Sequence, residues 1–164
     1  MSLQLISESL NAAINQQIGH ELANANQYTA IATYFEDQAL FLLAKIFTKQ
    51  SEEEREHALK FVKFLVDTGG KTVIPAIAAV KNDFASPEDA AQTALDYEMR
   101  TTEQVYKLMD LAIADKNHIA TDFLKWFVAE QLEEVASATD RLQIIKRAGP
   151  NVLMVEAYLA HYSA

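Results

Sequence analysis

The chain has 164 residues, half of them hydrophobic, with four glycines, three prolines, no cysteine and a net charge of −9. That length supports one domain with a substantial core, and the absence of cysteine excludes disulfides, thiolate zinc sites and cysteine nucleophiles. The acidic balance argues against a nucleic-acid surface, which needs clustered lysines and arginines, and the scarcity of glycine and proline is a helical profile.

The first segment, "MSLQLISESLNAAINQQ", has no basic region followed by an apolar run, so no secretory leader is expected. No window approaches about eighteen uncharged apolar residues, so no membrane span is expected either, and the chain reads as cytoplasmic. A first helix is predicted from about Leu3 to Asp37, with Leu10, Ile14, Ile18, Leu22 and Ala25 recurring at threes and fours and Tyr28, Ala32 and Phe35 continuing the stripe. After a short break at "EDQA", a second helix is predicted from about Leu40 to Thr68, with Leu43, Ile46, Phe47, Phe61, Phe64 and Leu65 as its apolar positions. Gly69 and Gly70 stop it.

"KTVIPAIAAVKNDFA" is apolar but broken by Pro75 and lacks helical period. Ser86 then reads as an N-cap with Pro87 at the first helical position and acids in the first turn, opening a third helix that runs to about Asp115. A tight "DKNH" turn leads to a fourth helix from about Ile119 to Arg147, ended by Ala148, Gly149 and Pro150. A short fifth helix is predicted in the segment from Asn151. Short links make helices one and two, and three and four, antiparallel hairpins. The middle link, at roughly 3.3 Å per residue, can reach about 60 Å. A thirty-residue helix is near 45 Å long, so the link can run the length of a bundle and leave helices two and three parallel. An all-α four-helix bundle with one long crossover is the expectation.

Within helix two, "SEEEREHALKF" places Glu54 and His57 three apart on one helix face, the Glu-x-x-His spacing of di-metal bundles. A shift of 77 positions (98 − 21) carries Glu21 of "QIGHELAN" onto Glu98 of "ALDYEMRT", Glu54 onto Gln131 and His57 onto Glu134. The two hairpins therefore hold metal-ligand residue types in one register. Glu21 falls within the apolar stripe of helix one, and Glu130, Gln131 and Glu134 follow the apolar "FLKWFVA". Ionised carboxylates facing one another in a core are strongly unfavourable, and a multivalent cation removes that penalty. Oxygen-rich ligation with one imidazole suits iron, manganese or zinc. Glu52, Glu53 and Glu56 also fit a solvated face. His20, His118 and His161 have no partner at ligand spacing, and an inward Tyr28 fits packing as well as chemistry.

The stretches "INQQIGHELANANQYTAIATYFE", "EEEREHALKF", "ALDYEMRTTEQV" and "FLKWFVAEQLEE" resemble the bacterial non-haem ferritins, and the similarity covers nearly the whole chain. The resemblance implies one ferritin-like domain over residues 1–164. It implies a homo-oligomeric shell of about twenty-four subunits that oxidises Fe(II) with oxygen or hydrogen peroxide at a di-iron centre and stores Fe(III) mineral. Carried over by position, Glu21, Glu54 and His57 look like ligands of a first iron. Glu54 would bridge to a second iron helped by Glu98 and Glu130, with Gln131 beside the pair. Glu53, Glu130, Glu133 and Glu134 match a third, weaker iron position, and Tyr28 and Trp126 match aromatic positions beside the centre. Bacterioferritins and rubrerythrin-type peroxidases have Glu-x-x-His on both hairpins, whereas the second copy here is Gln131-x-x-Glu134. Arg55 stands where the bacterioferritin haem takes a methionine, so no haem is expected, and a rubrerythrin needs cysteines that this chain lacks. The small DNA-protecting cages place their ligands between subunits and often have a basic tail, and neither pattern occurs here. Two other readings stay open: passive binding of divalent cations, and a di-iron peroxidase without an electron-transfer domain.

Overall fold

The structure, a computed structural model, describes residues 4–162 as helices and connections, with no strand among the described residues. Four long helices, α1 (Glu8–Asp37), α2 (Phe41–Asp67), α3 (Pro87–Ala114) and α4 (His118–Ala148), are followed by the short α5 (Leu153–Tyr162). The boundaries follow the local signals. Ser86 caps α3 by accepting from the Asp89 amide at 3.1 Å, and Asn117 caps α4 by accepting from the Ala120 amide at 3.0 Å. At the end of α2, Gly69 takes φ 71, and its amide and that of Gly70 bond back to the carbonyls of Val66 and Leu65. That reciprocal pair is the Schellman closure that the two glycines predict.

The start of α1 differs from expectation. Leu3 lies outside the described residues, and the helix begins at Glu8, capped by Ser7, whose hydroxyl accepts from the Leu10 amide at 3.1 Å. The preceding residues stay out of the helix because they have partners elsewhere. The Leu5 amide donates to the Thr68 carbonyl at 2.8 Å, the Leu5 carbonyl accepts from the Asn117 side chain at 2.9 Å, and Ile6 is buried. At the other end α5 begins at Leu153 rather than Asn151, and the last two residues of its segment, Ser163 and Ala164, lie outside the described residues.

The link between α2 and α3 runs along α1 and is held there by amide side chains. Asn11 and Asn15 both donate to the Lys71 carbonyl and accept from the Lys71 and Val73 amides respectively, while Gln27 bonds both backbone groups of Lys81. Pro75 crosses at Gly19, where a Cβ would sit 2.5 Å from the proline Cγ, so only glycine lets the link lie this close. Because α1 runs antiparallel to both α2 and α3, those two are parallel, as the link length allows.

The α2 N-terminus has no capping side chain of its own at Leu40. Glu156 of α5 supplies it, accepting from the Leu42 and Leu43 amides at 2.8 and 2.9 Å. A carboxylate on exposed helix amides is stabilising by charge as well as hydrogen bonding. Replacing Glu156 by alanine should cost about 1–2 kcal/mol and speed hydrogen exchange at the Leu42 and Leu43 amides. Unchanged exchange there would show that α5 is not what closes this helix end.

Two apolar clusters fill the bundle. One is built on Ile31, Phe35, Leu43 and Phe47, the other on Ile14, Ile18, Phe61, Leu65 and Phe127. Between them lies a buried polar layer containing Glu21, Asn24, Glu54, His57, Glu98, Thr101 and Gln131. α1 packs directly on α3, whereas α2 and α4 meet through long side chains, including stacked pairs of Phe61 with Phe127 and Phe64 with Phe123. The polar layer is therefore closed on the α1/α3 side and reaches a groove on the α2/α4 side.

Candidate metal centre

Each of the four long helices sends carboxylate or imidazole groups into this layer from its apolar face. Glu21, Glu54 and His57 are nearly fully buried and bring one ligand atom each into a single cluster. His57 Nδ1 lies 4.0 Å from Glu21 Oε2 and 3.8 Å from Glu54 Oε1. Both of those oxygens are buried with no hydrogen-bond partner among the described residues. Their sister oxygens are occupied: Glu21 Oε1 accepts from Gln17 at 2.9 Å and Glu54 Oε2 from Asn24 at 3.1 Å. The free atoms thus converge on one point with the imidazole, where an orphaned carboxylate oxygen would otherwise be costly.

The other imidazole nitrogen, Nε2, lies 3.9 Å from Glu130 Oε1, and His57, Glu130 and Glu134 form a second cluster of possible ligand atoms. Glu98 faces the layer from α3 with both oxygens bonded, one accepting from the Tyr28 hydroxyl and the other from Gln131 Nε2 at 3.2 Å. Tyr28 thus both stacks on Phe47 and holds a carboxylate. Glu53 is half-buried and takes hydrogen bonds from Gln50 and Lys49, while Glu133 is exposed; both lie with Glu130 and Glu134 along the α2/α4 groove. Glu52 and Glu56 are exposed, as are His20, His118 and His161. Trp126 is half-exposed and meets the His57 ring edge-on, 5.4 Å between centroids.

Burial dominates the electrostatics. It pushes Glu21 up to about 7, Glu134 up to about 7 with help from the Glu98 charge, and Glu54 well above the usual carboxylate range, with Glu21 and Glu98 adding repulsion. Burial also raises Glu98, against the hydrogen bonds from Tyr28 and Gln131. The imidazole of His57 is pushed down to about 4, by burial first and Lys60 second. At neutral pH it is uncharged, so its contacts with the three glutamates are not ion pairs. A cation held here would supply countercharge to the carboxylates, and the neutral imidazole is in the form that binds metal.

Several residues that shape this layer have no metal-ligand signature. Gln17 sits one turn before Glu21, Gln50 one turn before Glu54, and Arg141 donates to Gln50 Oε1 at 2.7 Å while Gln50 Nε2 donates to Glu134. Asn24 donates to Thr101, and those two are also 77 apart, the register of the carboxylates. That shared register is the one sequence signal that singles them out.

Residues 11–148 match the protein family described as the ferritin-like domain. The chain is 39% identical over 155 residues to ferritin BfrB of Mycolicibacterium smegmatis, covering 94% of this chain and 86% of that protein. It is 35% identical over 145 residues to a bacterial non-heme ferritin of Bacteroides fragilis, covering 88% and 91%. The crystal structure of an open pore ferritin from the hyperthermophilic archaeon Archaeoglobus fulgidus matches with a TM-score of 0.91 at 30% identity, covering 94% of this chain and 97% of that one.

Proposed function

The chain belongs to the ferritin-like domain family, and from that premise we propose that it is an iron-storage ferroxidase, one such domain over residues 1–164, acting within a closed homo-oligomeric shell of about twenty-four copies. The observation that supports this most is the pair of buried oxygens without a hydrogen-bond partner, Glu21 Oε2 and Glu54 Oε1, turned toward neutral His57 Nδ1. Iron is the substrate. The first Fe(II) takes those three atoms, and the second lies between Glu54 and Glu98 with Glu130 on its open side. Glu53, Glu130, Glu133 and Glu134 form a third, outer position on the groove, which serves as the route between centre and mineral. Oxygen or hydrogen peroxide takes one electron from each Fe(II).

The carboxylates drive this by differential binding, since they stabilise the charge of Fe(III) more than that of Fe(II). Burial raises the proton affinity of Glu21, Glu54 and Glu134, so iron entering the centre competes with protons for these carboxylates. In this reading Gln131 and Tyr28 fix Glu98 in place, and the rings of Tyr28 and Trp126 stand beside the centre. Haem has no part in this reading, because the position after Glu54 is the exposed Arg55. No helix among the described residues is long and apolar enough to cross a membrane, which fits a cytoplasmic site of action.

The test is to load metal-free protein anaerobically with increasing Fe(II), admit oxygen, and follow the oxidised product in milliseconds. A fast phase that saturates near two irons per chain is expected, with a slower further equivalent at the outer position. Bound iron that stays reduced would leave passive cation binding as the function. Faster oxidation by peroxide than by oxygen would favour the peroxidase reading.

A further inference from the structure

The polar layer is unequal in a way that its carboxylate count does not reveal. The three atoms offered to a first cation accept no hydrogen bond from an amide or hydroxyl, whereas the oxygens needed by a second already do. Glu54 Oε2 accepts from Asn24 Nδ2 at 3.1 Å, and the two oxygens of Glu98 accept from Tyr28 and Gln131.

Asn24 is fixed in that role from the opposite helix. The Thr101 hydroxyl has one hydrogen, and it is given to the Tyr97 carbonyl at 3.0 Å. Toward Asn24, Thr101 can only accept, so it is the nitrogen of the Asn24 amide that faces it, at 2.9 Å. The second hydrogen of that nitrogen then points at Glu54. Asn24 and Thr101 are 3% and 2% exposed, so no water competes for either bond. The chain Tyr97 carbonyl, Thr101, Asn24, Glu54 spans α3, α1 and α2, and it turns the carboxylate so that Oε1 alone is left for the Glu21/His57 cluster.

We propose that Asn24, anchored on Thr101, is the positioning residue that makes this centre load in order, favouring a first cation at Glu21, Glu54 and His57 and holding back a second at Glu54 and Glu98. The first cation displaces no hydrogen bond from a neighbouring amide or hydroxyl. The second must take Glu54 Oε2 from Asn24 and an oxygen of Glu98 from Tyr28 or Gln131. This inference rests on the proposed two-cation centre and adds the residue that spaces its two affinities.

Mn(II) tests it without redox chemistry, because an isolated Mn(II) and a pair bridged by a carboxylate give different electron paramagnetic resonance spectra. In the unaltered protein the isolated signal should dominate at one equivalent and the coupled signal should appear toward two. In Asn24→Ala the second affinity should rise about tenfold relative to the first, the effect of releasing one hydrogen bond to a charged acceptor, so coupled pairs appear already at one equivalent. Thr101→Val, which leaves Asn24 but removes its anchor, should shift the spectra in the same direction by less. It also decides the matter should the first variant not fold. A merely structural role for Asn24 would weaken both equivalents together, and that result, or an unchanged spacing, overturns the proposal. Coupled pairs at one equivalent in the unaltered protein overturn it while leaving the two-cation centre in place. An absence of bound Mn(II) in all three proteins would overturn the centre itself.

Discussion

Replacing Glu54 by glutamine is expected to abolish the fast oxidation of Fe(II) while leaving the stability of the metal-free protein within about 1 kcal/mol of its original value. The carboxyl is 1% exposed, and burial together with the charges of Glu21 and Glu98 raises its affinity for a proton well above that of an ordinary glutamate. Glutamine has the same shape and carries no charge into this buried position, and its side chain can still meet Asn24. With iron present the two side chains part. A carboxylate can give a charged oxygen to each of two cations, and an amide can give neither. The initial rate should fall by at least about 100-fold, beyond what the loss of a supporting group causes at a metal site. An unaltered rate would remove Glu54 from the shared position between the irons. A large drop in the melting temperature of the metal-free variant would instead show that Glu54 is ionised and paired before any cation arrives.

The metal-free protein should become less stable as the pH rises from about 6.5 to 8. Glu21 and Glu134 titrate at about 7 when folded, against 4.5 for an unperturbed glutamate. A raised folded pKa contributes stability that is complete below the unfolded value and is lost as pH rises through the folded one. His57 works in the opposite sense: with a folded value of about 4 against 6.5, its contribution is present above 6.5 and is lost as pH falls through 4. Between 4.5 and 6.5 the two effects oppose, and above 6.5 the carboxyls act alone. The expected loss over that upper window is roughly 1–2 kcal/mol for the two carboxyls together. Differential scanning calorimetry of metal-free protein at several pH values reads it directly. Saturation with Mn(II) should reverse the slope, because cation and proton compete for the same oxygens and higher pH favours the cation. A melting temperature that stays level from 6.5 to 8 without metal would mean that these carboxyls are already ionised in the fold.

Much of the architecture is decided by local chemistry and is legible as spacing. Ser86 and Pro87 start α3, Gly69 and Gly70 end α2, and an apolar repeat at threes and fours gives each long helix one buried stripe. The link from α2 to α3 is long enough to cross the whole bundle, which makes a parallel α2 and α3 the natural expectation. The register that carries Glu21, Glu54 and His57 onto Glu98, Gln131 and Glu134 is likewise present in the chain alone.

Tertiary structure decided what each carboxylate oxygen meets. Asn24 reaches Glu54 across 30 residues and Thr101 across 77, and Arg141 reaches Gln50 across 91. No periodicity within a helix encodes such pairings, because they depend on which faces come together and how closely. The same holds for Glu156, which closes a helix far from it in sequence, and for Leu5, whose partners at Thr68 and Asn117 keep it out of α1. Spacing alone also ranks Glu133 with Glu134, yet Glu133 is exposed on the groove and Glu134 is buried beneath it. The sequence by itself determined the four helices, their order and the residue types that face the centre, since hydrophobic spacing and end-capping act within a few residues. Only the packed bundle decided which oxygens are free, which are held and how far burial raises their affinity for protons, since each depends on atoms brought together from separate helices.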